Sequence, residues 1–155
     1  MAFRHASGEG ESSAPAYMAG RAAELDELRD VLLQLVDRDA EVYEKLVRTP
    51  ERDAGDALDA FESPLETIES ALAALRLLAV GLRHVPGGLL PECAVALHAL
   101  GAAVEGGAAV CDANLRLLAD GERGPRRESL SFLRRQVQDL TREIEEALAA
   151  RGPAA

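Results

Sequence analysis

Aromatic residues are scarce. The 155 residues include two Tyr, three Phe and no Trp. β-Branched aliphatics are few as well: Val and Ile together number 12, against 29 Ala and 24 Leu. A chain so poor in the residues that favour strands, and so rich in Ala and Leu, is expected to be helical. Cysteine is limited to Cys93 and Cys111, too few for a disulfide framework and without metal-ligand spacing. Lysine occurs once, as Lys45, against 16 Arg, which reads as codon bias in a GC-rich genome. Basic residues number 17 against 27 acidic ones, for a formal net charge of −10. That balance argues against nucleic acid and anionic membranes as partners, because phosphate contacts need clustered cations. No apolar segment of signal-peptide length opens the chain, and no apolar run is expected to span a bilayer. A reducing cytoplasm is the expected location.

The length fits one domain. Residues 1–18 hold Ser7, Gly8, Glu9, Gly10, Glu11, Ser12, Ser13 and Pro15, and are expected to form a disordered arm. Residues 19–150 are expected to form a single helical domain. Four apolar stripes advance in steps of three and four. The first is Leu25, Leu28, Leu32, Leu35, Asp39, Val42 and Leu46, ending near Thr49-Pro50. The second is Leu58, Phe61, Leu65, Ile68, Leu72, Leu75, Ala79 and Leu82. Its phase continues across Ser63-Pro64, so it is one helix kinked at Pro64 or two collinear helices. The third starts at Pro91 and runs through Leu97, Leu100, Val104, Ala108, Cys111, Leu115 and Leu118. The fourth is Leu130, Leu133, Val137, Leu140, Ile144 and Leu148. An antiparallel four-helix bundle, with a long second helix kinked near Pro64, is the expected fold.

Asp39 breaks the first stripe. A carboxylate facing a core must find partners or take up a proton. The alternative is that the stripe turns slightly and leaves Asp39 at the bundle edge, bonded to an Arg. Tyr43, four residues on, can reach it. On the third helix His98, Glu105 and Asp112 recur every seven residues, about 10 Å apart, too far to share one metal ion. They read as a polar face. The other side of that helix is dense in small residues, with Gly106-Gly107 inside it. Each of those glycines costs about 1 kcal/mol relative to Ala. Close packing of a neighbouring helix is the common compensation; a ligand touching the backbone is the other. Between Arg116 and Arg135 six Arg face three acids, a local surplus of +3 in an acidic chain. This loop could attract an anionic small molecule or an acidic partner, or be a solvated segment near a helix C-terminus.

Three segments, in order, resemble the cyclodeaminase/cyclohydrolase family. That family includes the cyclodeaminase domain of formiminotransferase-cyclodeaminase and stand-alone methenyltetrahydrofolate cyclohydrolases. Leu35-Val36-Asp37-Arg38-Asp39-Ala40-Glu41-Val42-Tyr43 is similar to its L-x-D-x-D-A-x-A-[YF] segment. Ser63-Pro64-Leu65-Glu66-Thr67 is similar to its V-P-L motif at a helix bend. Glu92 through Leu118, with Gly106-Gly107-Ala108 and Asn114-Leu115, is similar to its SD…GA…NL helix. The resemblance covers residues 25–150. Glu92 stands where the family has the Asp of SD, and Val110 where it has its first Asn. Ser7–Ala14 is a poor match to the family's opening P-G-G-G-S-x-A-A helix, so that helix is expected to be missing.

The resemblance implies a helical bundle that dimerises, with a folate site near the dimer contact. It implies ring closure with loss of ammonia from formimino-tetrahydrofolate, or hydrolysis of methenyltetrahydrofolate. The folate is the substrate, and no further cofactor is implied. Asp39 would transfer a proton or hold the pterin, and Tyr43, Glu92, Asn114 and Arg116 would bind substrate. A degenerate, non-catalytic interaction or ligand-sensing module with the same fold is the alternative. A homodimer is expected in either case.

Overall fold

The computed structural model describes residues 14–48 and 53–151. Among them all regular structure is helical. Four α-helices follow one another: α1 (Ala14–Arg48), α2 (Ala54–Gly81), α3 (Leu90–Asn114) and α4 (Asp120–Arg151). Short 3₁₀ turns at Leu82–His84 and Gly87–Leu89 join α2 to α3, and one at Leu115–Leu117 leads toward α4.

Local chemistry explains several of these ends. The Asp53 carboxylate accepts the Asp56 N–H at 2.8 Å and caps α2, meeting one of the donors that a helix start leaves unpaired. Pro91 lies in the first turn of α3, where its missing N–H is no loss. At the far end Arg151 donates to the Leu82 carbonyl and, at 2.6 Å, to the Val85 carbonyl. The last residue of α4 thereby holds the turn that follows α2.

The helices α2, α3 and α4 pack against one another, while α1 has α2 as its main neighbour. The second, third and fourth stripes form the core, with Phe61, Ile68, Leu75, Leu97, Val104, Leu130 and Ile144 all almost fully buried. The first stripe is shallower. Leu35 is buried, Leu25, Leu28, Leu32, Val42 and Leu46 are half-buried, and Asp39 is exposed. In a closed four-helix bundle every helix has two flanking neighbours. Here α1 lies on the outside of a three-helix core.

Three sequence expectations change. Helix α1 begins at Ala14, within the expected arm, and Met18 is 1% exposed in the core. Tyr17 and Met18 supply the apolar surface that packs this end of α1 onto the core. Residues 1–13, with the Ser7–Ala14 segment apart from Ala14, lie outside the described residues. Second, the cations after Arg116 lie on the first half of α4, not on a loop, despite Gly121, Gly124 and Pro125. Third, Gly87–Leu117 is long and apolar enough to cross a membrane by length and composition, with only 22% of its most apolar window buried. Its low charge density is masked in the sequence by the spaced Glu92, His98, Glu105 and Asp112. As for Pro64, α2 runs through it as a single helix rather than two.

Candidate functional site

Pro64 organises the middle of the molecule. Inside a helix a proline has no N–H for the carbonyl four residues back, which here belongs to Ala60. Ala60 is 2% exposed, so water does not supply a donor. Instead Asn114 Nδ2, on α3, donates to the Ala60 carbonyl at 2.7 Å. One turn earlier on α3, Cys111 Sγ donates to the Phe61 carbonyl at 3.6 Å. One turn earlier again, Gly107 lets α3 approach closely. A Cβ there would lie 3.1 Å from both the Pro64 carbonyl oxygen and Ile68 Cγ1. Close packing therefore accounts for Gly107. Gly106 and Gly101 face open space, with nothing near a would-be Cβ.

From the other side α1 reaches the same turn of α2. Ser63 is fully buried, and its hydroxyl donates to Asp39 Oδ1 at 3.4 Å. Next to it Arg38 pairs with Glu66 at 2.6 Å, and Arg126 of α4 pairs with Glu62 at 3.3 Å. The residues between Ala60 and Glu66 thus meet a polar side chain from each of the other three helices. The Cys111 thiol lies under this cluster. Burial, first of all, pushes it up to about 12; the Asp112, Glu62 and Asp39 carboxylates act in the same sense and Arg134 opposes them. It is a neutral thiol at physiological pH and not a nucleophile. Burial likewise raises the Cys93 thiol.

The expected site residues separate into two groups. Asp39 and Asn114 both contact the Ala60–Ser63 turn of α2. Tyr43 stands one helical turn beyond Asp39, 68% exposed, and Arg116 is exposed two residues beyond Asn114. Glu92 does not join them: it lies at the opposite end of α3, about 33 Å along the helix from Asn114. Asp39 is at an edge, as the second sequence reading had it, but its partner is a serine and not an arginine. The amide of Asn114 has a structural partner that periodicity alone could not reveal. The signal was nonetheless present, because a proline inside a helix always frees the carbonyl four residues before it.

Of the six arginines between Arg116 and Arg135, Arg123 pairs with Asp120, Arg126 with Glu62 and Glu122, and Arg134 with Asp112. Arg116, Arg127 and Arg135 have no acidic partner among the described residues. Arg127 and Arg135 flank the exposed Phe132 along a shallow depression on α4. A second hollow, of about 310 Å³, lies between the start of α2 and the turn before α4, lined by Asp53, Ala57, Leu117, Leu118 and Glu122. Among the described residues no three His, Cys, Asp or Glu side chains converge as metal ligands.

Residues 1–129 match the family described as formiminotransferase-cyclodeaminase. The chain belongs to that family. The match takes in α1, α2, α3 and the start of α4, and reaches residue 1, further toward the N-terminus than the three motifs. No curated protein and no solved structure matches the chain.

Proposed function

We propose that this formiminotransferase-cyclodeaminase family member acts on tetrahydrofolate one-carbon adducts in the cytoplasm. It would close the ring of formimino-tetrahydrofolate with loss of ammonia, or hydrolyse the methenyl form. The observation that carries the reading is the Asp39 carboxylate, exposed on one side and hydrogen-bonded to the buried Ser63 hydroxyl on the other. Both reactions move a proton. Ring closure needs one delivered to the departing nitrogen, and hydrolysis needs one taken from water. A carboxylate held in position and open to solvent can take the proton that water or the attacking nitrogen gives up, and in ring closure pass that same proton to the departing nitrogen. Tyr43 supplies an aromatic face beside it. Arg116, with Arg127 and Arg135, offers cations for the carboxylates of a folate tail. Asn114 fixes the α2–α3 crossing on which this geometry rests. Glu92 has no place in the proposed site.

The protein is proposed to act as a homodimer. Apart from the polar line of His98, Glu105 and Asp112, helix α3 is apolar, yet only its α2 and α4 sides are covered. Its outward line of Val95, Ala99, Ala102, Gly106, Ala109 and Ala113 is exposed, and Val95 is 69% exposed. A second copy packed there would cover it.

A second reading is favoured by one observation: Glu92, expected to bind substrate, lies about 33 Å along α3 from Asn114 and cannot share a site with it. On that reading the chain is a non-catalytic module that keeps the family fold. Incubation with 5,10-methenyltetrahydrofolate, followed by absorbance, separates the two. Turnover above buffer that is lost in Asp39→Asn without loss of fold supports the enzyme. No turnover, with no folate-induced rise in melting temperature, leaves the module.

A further inference from the structure

Helix α1 carries a second apolar stripe, offset by one residue from the first. Leu33, Val36, Ala40, Tyr43 and Val47 advance in steps of three and four, the spacing of a helix-pairing seam. All five are exposed: Leu33 at 60%, Val36 at 66%, Tyr43 at 68% and Val47 at 64%, with Ala40 in the same class. Helix α1 has α2 as its main neighbour, and among the described residues nothing covers this stripe. Scattered exposed apolar side chains are ordinary; a line of them over four turns is not.

The charges beside the stripe are sorted. Asp30, Asp37 and Glu44 recur every seven residues along one edge, and Asp39 stands on the other. The two cations in the middle of α1 point away: Arg38 to Glu66 and Lys45 to Asp56, both on α2. Arg29 and Arg48 pair with Asp30 and Glu44 at the two ends. Asp37, Asp39 and Glu41 have no cationic partner among the described residues. The result is an apolar seam with an acidic rim.

That rim decides the occupant. If the stripe paired with itself in parallel, the Asp37 edge would meet the Asp39 edge. If it paired antiparallel about a twofold axis, the Asp37 edge would meet its own copy. Acid meets acid in both cases, and like charges beside a seam disfavour pairing. An anionic lipid surface is repelled by the same rim. We propose that this face of α1 is a docking site for a basic amphipathic helix of a partner protein. The partner lays its apolar seam along Leu33, Val36, Ala40, Tyr43 and Val47. Its Lys or Arg side chains meet Asp37 and Asp39, the rim acids that have no cation of their own among the described residues. This site goes beyond the folate reading and does not rest on it, but it shares Asp39 and Tyr43 with the proposed folate site, so the two ligands would compete there.

The test uses the full chain and a labelled synthetic helix of about 21 residues, three heptads with Leu in the seam and Lys on both flanks. The Lys flanks keep the peptide from pairing with itself. A scrambled peptide of the same composition and a Glu-flanked version are the controls. Binding is read by fluorescence anisotropy at low and high salt. The Lys-flanked helix is expected to bind, more weakly at high salt, and the two controls are not. Val36→Glu is expected to weaken binding about tenfold or more, equivalent to about 1.4 kcal/mol, while Val80→Glu, at an exposed position on α2, leaves it unchanged. Paired Asp37→Lys and Glu44→Lys changes are expected to shift preference to the Glu-flanked helix. Both positions are exposed, and an unchanged melting temperature shows that the variants fold. Equal binding of the scrambled peptide, or no effect of Val36→Glu, overturns the proposal. So does sedimentation showing that Val36→Glu splits a dimer, since the occupant is then a second copy. Binding is measured without folate, so a negative result here leaves the folate assay to stand or fall separately.

Discussion

Replacing Asn114 with Ala removes the only donor described on the Ala60 carbonyl, whose residue is 2% exposed. A buried acceptor left unpaired costs about 1–3 kcal/mol. At this chain length each kcal/mol lowers the melting temperature by about 2–4 °C. The single variant cannot tell this mechanism from simple loss of packing. Pro64→Ala can, because the alanine it introduces has an N–H whose natural acceptor, four residues back, is the Ala60 carbonyl. In the Pro64→Ala background the carbonyl no longer depends on Asn114, and Asn114→Ala is expected to cost about 0.5 kcal/mol or less. Pro64→Ala loses ring packing of its own, but that loss appears on both sides of the double-mutant cycle and cancels. Urea unfolding of the four proteins gives the coupling energy, expected at about 1 kcal/mol or more. If Asn114→Ala costs the same in both backgrounds, to within about 0.3–0.5 kcal/mol, the proline-freed carbonyl is not what Asn114 serves.

The adjacent glycines of α3 are expected to respond with opposite signs. Gly106→Ala meets nothing and gains about 1 kcal/mol in helix propensity, whereas Gly107→Ala puts a Cβ 3.1 Å from a backbone oxygen and loses stability; denaturation midpoints of the two variants check this. Both thiols are expected to resist a disulfide reagent at pH 8 in the native protein and to react on unfolding, with Cys111, at about 12, the slower of the two. The Lys45–Asp56 pair predicts a pH window. Lys45 holds the Asp56 carboxyl below its ordinary 3.8, so that contribution is present above 3.8 and is lost as the pH falls through the lowered value. Asp56 holds the Lys45 ammonium above its ordinary 10.5, so that contribution is present below 10.5 and is lost as the pH rises through the raised value. Lys45→Met is therefore expected to be less stable than wild type by a constant amount across this window, with the two urea midpoints converging at its acid end.

Three of the four helices were legible because each of their stripes has an apolar partner. Ile68, Leu75, Val104 and Ile144 stand where the three-four repeat puts them, and all are buried. The repeat reports which side of a helix is apolar, not whether anything covers it. On α1 that distinction mattered. Two repeats run side by side, Leu32-Leu35-Asp39-Val42-Leu46 and Leu33-Val36-Ala40-Tyr43-Val47, and only the first turns toward α2. Counting Asp39 as a core residue assumed a covered face. The pairs Arg38–Glu66, Arg126–Glu62 and Arg134–Asp112 join residues far apart in sequence, and no local pattern could announce them. The cations after Arg116 read as a loop because Gly121, Gly124 and Pro125 punctuate them. In fact α4 runs through Pro125, and the carbonyl that this proline frees, that of Gly121, belongs to an exposed residue open to water.

The same placement of α1 bears on what Asp39 can do. A helix with one main neighbour is held by fewer contacts than the core helices, so its edge residues open more easily. Asp39 is tied to the core by one bond of 3.4 Å to Ser63, while the stronger pairs, Arg38 with Glu66 and Lys45 with Asp56, stand on either side of it. Those pairs fix the register of α1 on α2 and leave the carboxylate between them free to change partner. The proposed proton transfer requires this, since a carboxylate locked by several strong bonds could not turn toward a substrate. It also means that covering α1, by a partner helix on the Leu33–Val47 stripe, would alter the solvent around Asp39 without touching Ser63. The exposure of Asp39 is therefore expected to respond to docking, whereas the buried Asn114–Ala60 crossing is not.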